Sequence, residues 1–456
     1  MEESSSLSQG NSITDGVIWK QLLFFFFPIM LGTLFQQLYN TADAVVVGRF
    51  VGTRALAAVG GSTGQMVNLI VGFFVGLSSG ATVIIARYYG AKNKKDLNDT
   101  LHTAAALSVA GGILITIAGI LFTPSMLKIM KTPADVMADS ATYLRIYFGG
   151  IIFVFIYNVG SAILRAVGDS TRPLYFLIAC CFINIFLDVL LVVGFNMGVA
   201  GAAIATVVSQ AVSAVLVIWA LLKSTDMYCL HPKEIRFHKF LLVSIITIGL
   251  PAGIQSVMYN LANMIIQTSL NDLGTSTMAA YTAFGKIDAI YWMISGAFSV
   301  SITTFIGQNY GAQKYDRMKK SVKICLFMDF LASILVSALL LFFGEYLLRL
   351  FTTDPEVLKI GMKIIHIIAP SYVLFIFIEI LSSTLRGIGN VLVPMLMTCG
   401  GVCILRIIWI FFVVPHRPGV SNILLCYPIS WGLTAVLFIL YYYTQQKKFF
   451  HAHQQI

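Results

Sequence analysis

Leu164-Arg165-Ala166-Val167-Gly168, followed by Pro173, returns 221 positions later as Leu385-Arg386-Gly387-Ile388-Gly389, followed by Pro394. Two more pairs keep nearly the same offset: Tyr39-Asn40 with Tyr259-Asn260, and Tyr89-Gly90-Ala91 with Tyr310-Gly311-Ala312. Matches in constant order along most of the chain mark a duplicated unit of about 220 residues.

The residues between the matches say what that unit is. Of the 456 residues, 58% are hydrophobic and 11% charged, whereas soluble domains carry about 25% charged residues. A soluble enzyme is excluded on that ground. Apolar runs long enough to cross a bilayer fall at 18–44, 55–85, 101–123, 141–163, 174–195 and 199–222, then at 240–270, 277–306, 322–344, 358–383, 391–414 and 421–443. Six spans is an even number, so the second unit enters the membrane in the same sense as the first. The expected fold is an all-α integral membrane protein of twelve transmembrane helices in two parallel, pseudo-symmetric six-helix lobes. The expected segments are an N-terminal tail (1–17), a first lobe (18–222), a linker (223–239), a second lobe (240–443) and a C-terminal tail (444–456). Two such lobes suit alternating access to a substrate cavity between them near the midplane.

Lys and Arg set the orientation, because short cytoplasmic loops hold the excess. With the N-terminus inside, nineteen fall on the cytoplasmic side and nine outside, with Lys286 and Arg406 within spans. Both termini are therefore expected in the cytoplasm, in the inner or plasma membrane. The polar start of the chain, with Glu2 and Glu3, lacks the basic region of a cleaved signal. The net charge of +10 sits in short clusters between spans, where lipid headgroups and not nucleic acid are the expected partners. The seven cysteines fall mostly in apolar runs and read as packing residues. The histidines are scattered, and phosphate loops and nucleophile elbows are absent, so neither an enzyme nor a cofactor is expected.

Acids inside spans carry the functional expectation, since an ionised Asp at a helix centre costs about 2.5–3.5 kcal/mol on insertion scales. Gln36, Asn40 and Asp43 share one face of the first span, Asn184 and Asp188 one face of the fifth, and Thr206, Ser209, Gln210 and Ser213 form a stripe on the sixth. Asp43, Asn184, Asp188 and Thr206 can converge in the first lobe, where two carboxylates in a dry pocket would hold H+ or Na+ and release it when the pocket opens. No other metal is expected. At the repeat offset Asp43, Asn184 and Asp188 become Asn263, Leu405 and Trp409, so the ion chemistry belongs to the first lobe. The neutral stripe Gln255, Tyr259, Asn263 and Gln267 reads as substrate lining, with Met66 and Met258 as adaptable wall residues. Lys286, Asp288, Glu379 and Arg406 form a possible buried charge network, with the two bases expected to pair with the two acids.

Gln36-Gln37-Leu38-Tyr39-Asn40-Thr41-Ala42-Asp43, Val47-Gly48-Arg49, Ala57-Ala58-Val59-Gly60, Ala86-Arg87-Tyr88-Tyr89-Gly90-Ala91 and the two Leu-Arg-x-x-Gly motifs resemble the multidrug and toxic compound extrusion (MATE) family, and the likeness covers nearly the whole chain. It implies a functional monomer that exports cationic or amphipathic drug-like molecules in exchange for H+ or Na+. It also implies a cation site at Asp43, Asn184, Asp188 and Thr206, with Tyr143 from the fourth span. The seventh-span Glu of another branch is missing, since that region offers Gln255, Tyr259 and Asn260, and no family role passes to Glu379. The competing reading is a flippase for a lipid-linked precursor, which would need a cavity lined by several Arg or Lys. The first-lobe acids argue against it.

Overall fold

The computed structural model describes residues 13–130 and 132–451. The acidic start of the chain, Lys131 and the last five residues lie outside them. Among the described residues the chain is helical, without strands. Twelve helices are long and apolar enough to span a membrane: α1 (Ile18–Phe50), α2 (Thr53–Gly90), α3 (Lys94–Ile129), α4 (Met137–Ala166), α5 (Thr171–Gly194), α6 (Gly198–Leu222), α7 (Lys239–Asn271), α8 (Thr275–Gly311), α9 (Tyr315–Arg349), α10 (Pro355–Gly387), α11 (Leu392–His416) and α12 (Val420–Gln446). Each apolar run of the sequence corresponds to one of them, and most helices extend beyond it. Phe24, Leu114, Phe182, Phe342 and Phe412 stand exposed on their surfaces, as lipid-facing side chains should. The chain is a multi-pass membrane protein.

The repeated motifs are helix stops. Gly168 N–H donates to Arg165 O and Asp169 N–H to Leu164 O; Gly389 N–H donates to Arg386 O and Asn390 N–H to Leu385 O. These are paired Schellman caps, which need a left-handed residue after the helix. Gly168 (φ 99°) and Gly389 (φ 87°) supply it. Lys92 (φ 54°) and Gln313 (φ 57°), again 221 apart, repeat the device after Tyr89-Gly90 and Tyr310-Gly311. The duplication persists even where the side chains have diverged. α5 passes into a π-helix at Val189, directly after Asp188, and α11 does so at Trp409, the repeat mate of Asp188.

The chain forms two compact units, one of residues 27–253 and the other of 1–26 with 254–456. They differ from the 18–222 and 240–443 lobes of the sequence reading by two exchanged half-helices. The boundaries fall inside α1 and α7, beside Pro28 and Pro251, which each remove a backbone hydrogen bond. The first half of α7 is held to α2 by glycines. A Cβ on Gly80 would stand 2.2 Å from Ile245 O, one on Gly249 2.3 Å from Leu77 O, and one on Gly76 2.5 Å from Gly253 N. Gly76/Gly80 and Gly249/Gly253 thus form two facing small-xxx-small motifs whose backbones touch. The start of α1 packs on α8 of its own unit, with Phe26 stacked on Phe298 at 4.3 Å and Phe25 edge-on to Phe305.

The 223–239 connection is tied down. Tyr89 Oη donates to Asp226 Oδ2 (3.1 Å), Arg172 Nη2 donates to Tyr228 Oη (3.1 Å), and Leu230 N–H donates to Leu221 O. His102, buried on α3, accepts at Nε2 from His231 N–H (2.9 Å). Lys314 and Arg317 bind the backbone of Ile13 to Gly16 and so fasten the N-terminal segment to the start of α9.

Candidate functional site: a buried carboxylate pair

Asp43, Tyr143, Asn184, Asp188 and Thr206 come from four helices of the 27–253 unit, and the structure brings all five together. Asp43 is buried, and Asn184 and Asp188 have no exposed surface. Thr206 Oγ1 donates to Asp43 Oδ2 (3.1 Å) while also reaching Ala202 O (3.0 Å). The Asp188 carboxyl and the Asn184 amide adjoin Asp43, and Tyr143 lies beside both acids and Thr206. Asp43 Oδ1, both Asp188 oxygens and both polar atoms of Asn184 are buried without a protein partner.

Helix geometry explains the placement. Asn184 and Asp188 are one α-turn apart and look the same way. The π-turn that follows Asp188 widens α5 at the site, a common position for such turns. On α6, Thr206 and Gln210 are also one turn apart; Gln210 Nε2 donates to Tyr39 Oη (2.9 Å), while Gln210 Oε1 is unpartnered. Tyr39, Cys180 and Cys181 close one wall with Phe35 and Ile185.

The stripe read on α1 is divided by the structure. Asp43 is buried and Gln36 half-buried, but Asn40 is exposed. At 100° per residue Asn40 sits about 60° from Asp43, whereas Tyr39 is about 40° to its other side and faces inward. Tyr39 is a buried side chain beside the site that the sequence reading does not place there. Its pairing with Gln210 spans 171 positions, and no local spacing signals it.

The remaining expected positions lie in the other unit, apart from Met66, which is half-buried on α2. Gln255 is buried, Met258 and Tyr259 are half-buried, and Asn263 is exposed; the Tyr259 hydroxyl has no partner. The paired charge network does not form. Among the described residues no ion pair joins Lys286, Asp288, Glu379 or Arg406. Lys286 is exposed because residues two apart on a helix point to opposite sides. Asp288 instead accepts from Trp292 Nε1 (2.7 Å) and from the Tyr372 hydroxyl. Arg406, 2% exposed, donates to Ser430 Oγ (3.0 Å) and lies over the rings of Tyr427 (4.1 Å) and Trp431 (5.3 Å). Aromatic faces and a hydroxyl take the place of the expected acid.

Among the described residues one group can supply metal donors, His102, His231 and Glu234, whose ligand atoms lie within 4.8 Å of one another. Both His102 ring nitrogens are already engaged, with Asn98 O and His231 N–H. The group therefore serves as a clasp for the connection.

The family model MatE matches residues 28–190 and again 251–412, once in each half. The chain belongs to the MATE family. This MATE protein is 29% identical over 441 residues to the probable multidrug resistance protein YoeA of Bacillus subtilis, covering 94% of this chain and 95% of that one. It is 27% identical over 392 residues to the probable multidrug resistance protein NorM of Thermotoga maritima, covering 84% and 82%. Its fold matches the outward-facing conformation of a multidrug resistance MATE transporter of the MOP superfamily with a TM-score of 0.90, at 22% identity, over 97% of this chain and 99% of that one. The twelve-helix expectation and the family resemblance therefore hold, and the protein is a membrane transporter.

Proposed function

We propose that this MATE protein is a multidrug efflux antiporter that exports cationic and amphipathic drug-like molecules by alternating access in exchange for H+ or Na+, without a cofactor. The observation that carries the reading is the Asp43–Asp188 pair, two adjacent buried carboxyls with three unpartnered oxygens. Two unit negative charges 4 Å apart repel by about 4 kcal/mol at an effective dielectric of 20, and burial adds a further penalty. A monovalent cation between the carboxyls, or a proton on one of them, removes that cost.

In this mechanism the outward-open protein takes up the cation at Asp43 and Asp188. Asn184 supplies a neutral oxygen, Thr206 orients Asp43, and Tyr143 shields the pair from water. Filling the site lets α1, α5 and α6 pack, and drug leaves. Opening toward the cytoplasm hydrates the carboxylates and releases the ion. Gln36, Asn40, Gln255, Tyr259, Asn263, Met66 and Met258 contact the substrate. The working unit is a monomer in the inner or plasma membrane with both termini cytoplasmic, its halves 18–222 and 240–443 joined by the 223–239 linker.

The test is efflux of ethidium and a fluoroquinolone from proteoliposomes under an imposed H+ or Na+ gradient. Efflux that rises with one gradient supports the reading and names the ion. No flux under either gradient refutes it and turns attention to lipid-linked precursors. Thr206→Val removes one charge-assisted hydrogen bond worth about 1.5–3 kcal/mol. The half-saturating cation concentration should then change by about tenfold or more while the maximal rate holds, as a cation titration of initial rates will show. A loss of rate without a change in half-saturation would count against Thr206 acting on the cation.

A further inference from the structure

The second compact unit contains an acid that the mechanism above does not use. Asp329 lies midway along α9, has no exposed surface, and neither of its carboxylate oxygens meets a hydrogen-bond donor. One turn on, Ser333 is 1% exposed and its hydroxyl is likewise unpartnered. Across from them on α8, Ser295, also 1% exposed, has an unpartnered hydroxyl one turn from Tyr291. Tyr291 draws the group together: its hydroxyl donates to Tyr372 O (3.2 Å), and it neighbours Asp329, Ser295 and Ser333.

Among the described residues no ion pair holds Asp329. α9 packs against α8 and α10. The titratable groups facing Asp329 are Tyr291 from α8, Glu379 from α10, and Cys325 from α9 itself. The first half of α10 turns Lys359, Lys363 and His366 outward. Arg406 is held by Ser430 and two aromatic rings. Glu379 also neighbours Arg386, a base on its own helix. An ionised, unpaired carboxylate at this depth would cost several kcal/mol, which a positive ion would offset. The groups present all offer oxygen atoms, the donor type that a small hard cation takes.

We propose that Asp329, Ser333, Ser295 and Tyr291 form a second site for a monovalent cation, H+ or Na+, separate from the Asp43–Asp188 pair. The inference rests on the antiporter reading only for the role of the ion, since binding is measured without transport. The sequence reading assigns the ion chemistry to the first lobe alone. The repeat mate of Asp329 is Ser108, so this acid is not a relic of the duplicated site. With both sites loaded, two cations would enter for each substrate exported.

The first measurement is tryptophan fluorescence of the purified full-length protein, titrated with NaCl at fixed pH and then with pH in the absence of Na+. Trp292, with its ring 5.5 Å from that of Tyr291, is the reporter. A Na+-dependent change identifies sodium, and a change with pH alone identifies the proton. The signal is expected to persist in Asp188→Asn and to vanish in Asp329→Asn. Ser295→Ala and Ser333→Ala should weaken it about tenfold; they remove one hydroxyl each, and so test the site even if Asp329→Asn fails to fold. The second measurement is the number of cations per substrate, from the opposing substrate gradient that just stops flux: two are expected in wild type and one in Asp329→Asn. Titrations unchanged by all three substitutions would overturn the second site, whatever the transport assay shows. Wild type that binds the cation at Asp329 but moves no drug would retain the site and refute the antiporter reading.

Discussion

Asp188→Asn is expected to lower gradient-driven efflux about 100-fold while leaving equilibrium ethidium binding to the purified protein within a factor of a few. Asp188 is fully buried against Asp43 with both oxygens free of donors, and Asn keeps its size while removing its charge. The pair then no longer carries two negative charges, so loading a cation gains little and no longer biases the conformational equilibrium. A hundredfold loss is about 2.7 kcal/mol, inside the 1–3 kcal/mol range of coupling free energies between sites. The same substitution at Asp43 should act alike, because each acid gives the other its effect. Parallel measurements of gradient-driven efflux and of ethidium binding decide the matter. Unchanged efflux in Asp188→Asn would end the claim that this pair couples the ion. Joint loss of efflux and ethidium binding would instead place Asp188 in the substrate site.

The second large effect concerns folding. Gly80→Leu and Gly249→Leu should each lower the melting temperature in detergent by about 5–10 °C or abolish expression. Added methylenes in a packed core cost about 1–3 kcal/mol and sometimes more. Here the first added carbon would stand 2.2–2.3 Å from backbone oxygens of the facing helix, which cannot rotate away as side chains do. α2 and the first half of α7 would have to separate. Gly296→Ala is the control, because nothing stands within 4 Å of its added carbon, and it should leave the melting temperature unchanged. Equal melting curves for all three variants would show that the glycine contact contributes nothing to stability.

Several features were legible in the residues because their causes are local. A span of about 20 apolar residues is a membrane helix wherever it sits, and twelve such runs became twelve helices. The repeated Leu-Arg-x-x-Gly is a helix stop through its glycine and recurs with the same hydrogen bonds. The i, i+4 spacing of Asn184 and Asp188 puts them on one face before any neighbour is known. Asp329 is an acid inside the run 322–344, but it lies in no repeated motif and its repeat mate, Ser108, is not an acid, so no local pattern marks it.

Other features depend on contacts between residues far apart in sequence. Spacing could not show that Tyr39 turns inward while Asn40 turns out, because the angular difference between them is decided by what packs on α1. Nor could it show that Arg406 meets Tyr427, Trp431 and Ser430 and not an acid, since opposite charges and aromatic faces are both adequate partners for a guanidinium and the bundle selects between them. The placing of the first half of α7 follows from glycines on α2 and α7 that lie about 170 positions apart along the chain. By itself the sequence determined the number of spans, the duplication, the family and the acids buried in the first half, since each follows from apolar length, periodicity or a cap. Only the tertiary structure decided which oxygens remain without partners, because hydrogen bonding is a property of the filled interior and not of any one helix.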